Sequence, residues 1–332
     1  MIWIRKGCGM EVIEFPATAL VARIDVAGGN AVSVYRLQDA VIGGRGLVLD
    51  RAGRVYRASI GAALCDDLQR ASQAAQGADV PVLPGTAILC KQSGAADYGR
   101  WLLEILPICW LTRRHPLLAS QKLIDATFIV ADASEPLRHM MIDSLGLLGN
   151  PLAIAAFVPD MALRVADLVV VDGLADAGGA VSPLSISACQ DIAANLPVGP
   201  PQFLFVSRSG TDLANFADSD AADAAAWALG WTVIYPGRRD ARTELAFFKG
   251  AIGIVGIVGG GMANMVVARP GTRVVGLLPT ETAASLYRSI AQHRGLRYEE
   301  VPCAHADAGG GLAMSTAELS QILRRIMDDI VG

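Results

Sequence analysis

The sequence predicts an α/β protein whose second half is a doubly wound parallel sheet, and three observations carry that reading. From Phe203 onward, apolar runs alternate with helical segments. The strands are Phe203 to Ser207, Thr232 to Tyr235, Ile252 to Val258, Arg273 to Leu278 and Arg297 to Val301. Between them lie helices Ser219 to Ala228, Asp240 to Gly250, Met262 to Ala268 and Thr282 to His293. Such alternation builds a parallel sheet whose ligands sit at the carboxyl ends of its strands. The second observation is the stretch Ala251 to Pro279, where a run of Val and Ile breaks at Gly259-Gly260-Gly261 and a short helix leads into the next strand. Consecutive glycines let the backbone approach a ligand, and the N–H groups at a helix start form an anion site. A phosphate-bearing ligand fits; close packing of strand against helix is the competing explanation. The third is that in this unusually apolar chain, with 52% hydrophobic and 18% charged residues and 35 glycines, the longest apolar run is this same stretch, whose glycines and polar Asn264 suit a buried parallel strand and turn better than a transmembrane helix.

The first half is α/β with a β-rich start. Short runs (Glu11 to Phe15, Ala19 to Ile24, Ala31 to Tyr35, Gly46 to Leu49, Arg54 to Ala58) separated by glycine turns read as strands and hairpins. A helical piece, Cys65 to Ala75, precedes strand Thr86 to Cys90. The helix Tyr98 to Thr112 follows, with Asp97 placed to cap it and Pro107 set to kink or break it. Further on, Thr127 to Ala131 reads as a strand, Pro136 to Leu145 as a helix, and Leu152 to Phe157 and Leu163 to Val171 as strands. A helix around Ile186 to Asn195 ends at LPVGPP, residues 196 to 201, the best linker candidate. The expected division is residues 1–196, then 202–314, then a C-terminal helix in 315–332.

A net charge of −4 without long like-charge blocks argues against a nucleic-acid surface. No stretch reads as a transmembrane helix or a secretion signal. Six cysteines (Cys8, Cys65, Cys90, Cys109, Cys189, Cys303) without a CxxC pair read as reduced, mostly buried thiols of a cytoplasmic protein.

Several side chains could carry chemistry. Ser207, Arg208 and Ser209 end the first strand of the second half, where an arginine can clamp a phosphate through forked bonds; a solvated surface arginine is the bland reading. Glu104 could act as a general base, or could simply pair with Arg100 one helical turn away. Asp218-Ser219-Asp220 has a metal-binding form but sits where Ser and Asp cap a helix, and capping is favoured. The four histidines show no ligand spacing. GxSxG and GxxxxGK[ST] are absent, which removes the commonest hydrolase and NTPase readings. The glycine pattern also departs from the dinucleotide fingerprint.

Three ordered stretches, DYGRWLLEILP (97–107), FVSRSG with LANF (205–216) and GIVGIVGGGMANMVVARPGTRVVGLLP (253–279), together resemble the family 61 glycosyltransferases, which include capsular and exopolysaccharide enzymes and plant xylosyltransferases. The resemblance spans about Gly85 to Tyr298. It implies a GT-B-like fold of two Rossmann-like domains, the first preceded by the β-rich segment. A nucleotide-sugar donor, UDP-linked by resemblance, would bind the C-terminal domain, and a glycan acceptor the N-terminal one. Transfer would invert the anomeric centre with no metal and no cofactor, in polysaccharide assembly in the cytoplasm, with room for peripheral contact with the inner membrane. By position, Ser207, Arg208, Ser209, Gly259, Gly260, Gly261, Met262 and Asn264 would hold the donor, and Glu104, Asp97 and Arg100 would serve catalysis. The chain departs from the family pattern at Arg100 and Val258, where motif histidines are usual, and at Gly276, where an acid is common. Two alternatives follow: an impaired relative that binds nucleotide or glycan without turnover, and a nicotinamide-dependent oxidoreductase.

Overall fold

The computed structural model describes residues 10–60, 65–77, 79–91, 97–149, 155–158, 161–175, 180–208, 216–279, 285–304 and 312–331. The chain divides into two compact units, Met1–Ala177 with Ser182–Ala188, and Gly178–Val181 with Cys189–Gly332. Among the described residues, no helix is long and apolar enough to cross a membrane.

The first unit holds strands β1 (Val12–Ile13), β2 (Leu20–Ile24), β3 (Val32–Gly43), β4 (Leu47–Leu49) and β5 (Val55–Tyr56), then helix α1 (Cys65–Ala75) and strand β6 (Val82–Cys90). A helical stretch follows as α2 (Tyr98–Arg100), a π-helical turn (Trp101–Ile105) and α3 (Leu106–Arg114). Next come β7 (Thr127–Ala131), α4 (Glu135–Gly146), β8 (Ala155–Val158), β9 (Leu163–Asp172) and α5 (Pro183–Ala194), the last crossing the boundary between the units.

The sheet of this unit runs β1-β5-β4-β3-β9-β6-β7-β8, with β2 also on β3. The pairs β9–β6, β6–β7 and β7–β8 are parallel, whereas β3 pairs antiparallel with β9 from Ser33↔Asp172 to Ile42↔Leu163. The β-rich start is therefore continuous with the parallel strands. Asp167 fastens this joint, accepting from Arg36 Nε (2.8 Å) and Nη2 (2.6 Å), Gln38 Nε2 (2.8 Å) and Thr86 Oγ1 (2.6 Å), and so ties β3, β9 and β6.

The second unit is more regular. Strands β10 (Gln202–Val206), β11 (Thr232–Ile234), β12 (Ala251–Ile257), β13 (Arg273–Pro279) and β14 (Arg297–Cys303) alternate with α6 (Ser219–Ala228), α7 (Ala241–Gly250), a 3-10 helix (Gly260–Val267) and α8 (Ser285–Arg294); α9 (Thr316–Val331) closes the chain. All neighbouring strands are parallel, in the order β11-β10-β12-β13-β14. Counted within the unit this is 2-1-3-4-5, the flavodoxin-like order of doubly wound sheets. On one face Phe205, Val255, Ile257, Val275 and Leu277 pack with Ala222 and Ala226 of α6 and with Leu319, Leu323 and Ile326 of α9. The last helix, whose place the sequence left open, thus completes this core. It starts in a capping box, with Ser315 N–H donating to Glu318 Oε2 (2.8 Å) and Glu318 N–H to Ser315 Oγ (3.2 Å).

The expectation of reduced thiols needs one correction. Cys90, Cys109, Cys189 and Cys303 are buried thiols outside any disulfide, Cys65 is disulfide-bonded, and Cys8 lies outside the described residues. Sequence spacing carried no sign of it, because such a bond depends on which residues the fold brings together.

Candidate functional site

Residues expected to act lie in both units, and each group is described within its own unit. In the first unit they sit on the helical stretch after β6. Asp97 caps its start, with Oδ1 accepting from Arg100 N–H at 3.1 Å. Pro107 does not break the helix. It lacks the N–H that would bond the carbonyl four residues back, and its ring crowds that carbonyl. The turn before it widens instead, so that Leu106 N–H reaches Trp101 O in a π pattern.

Glu104 stands inside this widened turn while Trp101, Leu102, Leu103 and Ile105 around it are buried. Its side chain is only 16% exposed, and Arg100 Nη1 lies 3.9 Å from Oε2. Burial pushes the Glu104 carboxyl above its usual pKa, Arg100 opposes that shift and Asp97 adds to it. A carboxylate held this way is a better proton acceptor than a solvated one.

In the second unit the sites cluster at the carboxyl ends of β10 and β12. The chain leaves β10 toward β11 on one side, while β12 lies on the other, and this topological switch point is where doubly wound sheets bind ligands. Ser207 is buried, and its N–H donates to Ile234 O at 2.8 Å, adding a rung to the β10–β11 ladder. Arg208 follows, half-buried, with Nη1 3.5 Å from Val258 O. An ideal Cβ on Gly259 would lie 2.7 Å from Arg208 Nη2, 2.8 Å from Cζ and 2.9 Å from Nη1. The near-equal distances mean that the guanidinium presents its face to this glycine, and any side chain there would push it away. A Cβ on Gly261 would meet Pro236 Cγ at 2.3 Å. Ser209 lies outside the described residues.

The helix after the glycines begins at Gly260, two residues earlier than the sequence suggested, and is a 3-10 helix. Met262 N–H already donates to Gly259 O (2.8 Å), so the donors left over at this helix start belong to Gly260 and Gly261. Met262 and Asn264 are fully buried. Asn264 Nδ2 donates to Glu244 Oε1 at 2.6 Å, and Glu244 Oε2 accepts from Gly237 N–H at 3.0 Å. Burial raises the Glu244 pKa, while the Gly237 and Asn264 hydrogen bonds and the Arg239 charge oppose it. Sequence reading passed over Glu244. Its signal was the spacing of Ala241, Glu244, Leu245 and Phe248, which puts an acid on the buried stripe of α7.

The structure brings Arg208 and the three glycines together from strands adjacent in the sheet, in the motif order FVSRSG then GGGMAN. The family described as Glycosyltransferase 61 matches residues 98–275, more than half of the chain. The chain belongs to glycosyltransferase family 61. No curated protein matches it. Membership makes a sugar donor and an acceptor its substrates and leaves the nicotinamide reading without support.

Val258 and Gly276, two of the positions expected to depart from the family pattern, lie in packed surroundings. Val258 is buried, and its Cγ2 would stand 2.8 Å from a Cβ on Gly276. Tyr298 Oη reaches to 2.6 Å from the same point, so a tyrosine of β14 occupies the room that a side chain at 276 would need. The DxD stretch acts as expected of a cap, Asp218 Oδ1 accepting from Ala221 N–H at 2.9 Å.

Proposed function

We propose that this chain is an inverting, metal-independent glycosyltransferase of GT-B type. It would move a sugar from a nucleoside-diphosphate donor, UDP-linked in the first instance, to a glycan hydroxyl in capsular or exopolysaccharide assembly. The observation that carries this reading is the Arg208 guanidinium laid against Gly259 at the switch point, beside the start of a helix. A cation and the leading N–H groups of a helix at one place suit a diphosphate whose charge grows as the sugar leaves.

In this mechanism the acceptor hydroxyl gives its proton to Glu104 as its oxygen bonds to the anomeric carbon from the face opposite the leaving group. The bond from that carbon to the diphosphate oxygen breaks, and Arg208 with the Gly260 and Gly261 N–H groups takes up the negative charge. Glu104 suits the base role better than Asp97, whose carboxylate is committed to capping the helix. Arg100 supplies a positive charge where the family usually has a histidine.

The test is release of UDP from a panel of UDP-sugars with a glycan acceptor, alongside UDP binding by calorimetry. Turnover with binding supports transfer, and binding without turnover supports the impaired relative, a reading favoured by the buried Val258 at a motif-histidine position. Arg208→Ala should weaken UDP binding by roughly 10-fold to 100-fold, the worth of one charged hydrogen-bonding contact. Unchanged affinity would remove Arg208 from the donor site.

A further inference from the structure

A run of three glycines is the most flexible backbone a chain can have, and ordering it opposes folding by about 1–2 kcal/mol per residue. Gly259, Gly260 and Gly261 can direct N–H groups at an anion only if something outside the turn holds them. The structure shows what does so. Pro236 lies against Gly261, and from the next residue Gly237 N–H reaches Glu244 Oε2 (3.0 Å). The other oxygen of the same carboxylate accepts from Asn264 Nδ2 (2.6 Å), inside the 3-10 helix that the glycines open. One side chain thus joins the loop after β11, helix α7 and the helix behind the turn. Glu244 and Asn264 are both fully buried; the Glu244 carboxylate accepts from two neutral donors, and the charge of Arg239 acts on it as well. A carboxylate buried on two neutral donors is an unusual choice for a core, where an apolar residue would pack without desolvating a charge. Its two oxygens do what an apolar residue cannot: they accept from two separate segments at once.

We propose that Glu244 is a positioning residue of the donor site, fixing the path of the Gly259–Met262 backbone through Asn264 and Gly237 so that its N–H groups meet the diphosphate of the donor. The assignment rests on the donor-site reading above. Glu244 touches no substrate in this scheme and acts only through the turn.

The test reverses the polarity of the bond. Asn264→Asp sets carboxylate against carboxylate, and Glu244→Gln combined with Asn264→Asp restores a hydrogen bond running the other way. Amide hydrogen exchange at residues 259–262 in the ligand-free protein and the Kd for UDP are measured for wild type and both variants. The single variant should exchange faster at the turn and bind UDP about tenfold more weakly, with the double variant recovering most of both. Should the single variant not fold, Asn264→Ala takes its place against wild type. Unchanged exchange and affinity in the single variant, or a folded double variant that recovers neither, would overturn the assignment. If wild type binds no UDP while the exchange results follow the expected pattern, the donor reading falls and the positioning role stands.

Discussion

Gly259 and Glu104 are the two residues whose surroundings make the sharpest demands. Gly259 has an extended backbone that alanine adopts easily, so Gly259→Ala carries no conformational strain. Its added methyl would instead meet the end of Arg208, a flexible side chain that can swing aside. The expected outcome is a melting temperature near that of wild type with UDP affinity reduced about tenfold by displacement of the guanidinium, read by calorimetry. Glu104→Gln separates activity from stability. Because burial raises the folded-state pKa of Glu104, its contribution to stability is fully present below the pKa of the unfolded chain and is lost as pH rises through the folded one. The glutamine variant should therefore melt at or above wild type at pH 7 and lose that advantage below about pH 4, the range of an unfolded glutamate. Its turnover should fall by on the order of 10²-fold or more, as expected for loss of a general base. At this scale the sequence pointed to Arg208 and the glycines just after two strands and to Glu104 within a helix, and the structure has them at those places in the fold. It missed Glu244 and Tyr298, because nothing local says that a glutamate will bridge two segments or that a tyrosine of β14 will fill the room beside Gly276.

Among the elements, the helix carrying Glu104 and the joint of the first sheet show how far local pattern reaches. Proline chemistry forecast a disturbance at Pro107, but a kink, a break and a widened turn all accommodate the missing N–H; the structure has the third, with Trp101, Leu102 and Leu103 buried in the widened turn. The β-rich start was legible as strands, yet its attachment to the parallel strands through β3 and β9 was not, since pairing between distant strands leaves no mark in either one. Asp167 at that joint gives a test. Burial would raise its pKa, but hydrogen bonds from Arg36, Thr86 and Gln38 outweigh this and hold it below the ordinary carboxylate value. A depressed pKa means stability that is present above the unfolded value, about 3.9, and is lost as pH falls through the folded one. Asp167→Asn should destabilise the protein at pH 7 by about 1–3 kcal/mol in denaturant unfolding, leaving Arg36 without its half-buried charged partner. The difference from wild type should shrink as pH falls below the unfolded value and Asp167 takes up its proton.

For the whole molecule, two compact units predict that ligand protection is uneven. UDP at a hundred times its Kd should stabilise the state that binds it by about 2.7 kcal/mol. Hydrogen exchange with and without UDP should place the strongest protection in residues 202–279, which contain β10, β12 and the glycine turn. Protection confined to residues 10–175 would contradict a donor site in the second unit. The sequence by itself determined that this unit is a parallel α/β sheet with a strand–glycine–helix turn, because hydrophobic period and glycine punctuation act over a few residues. It also determined the family, through motifs kept in order. Only the tertiary structure decided the strand order that puts β10 beside β12, and with it the meeting of Arg208 and Val258 across 50 residues of chain. Only the tertiary structure joined Glu244 to Asn264 behind the glycines. The physical reason is the same in both cases: charge and hydrogen-bond partners are chosen by distance in space, and the sequence records distance only along the chain.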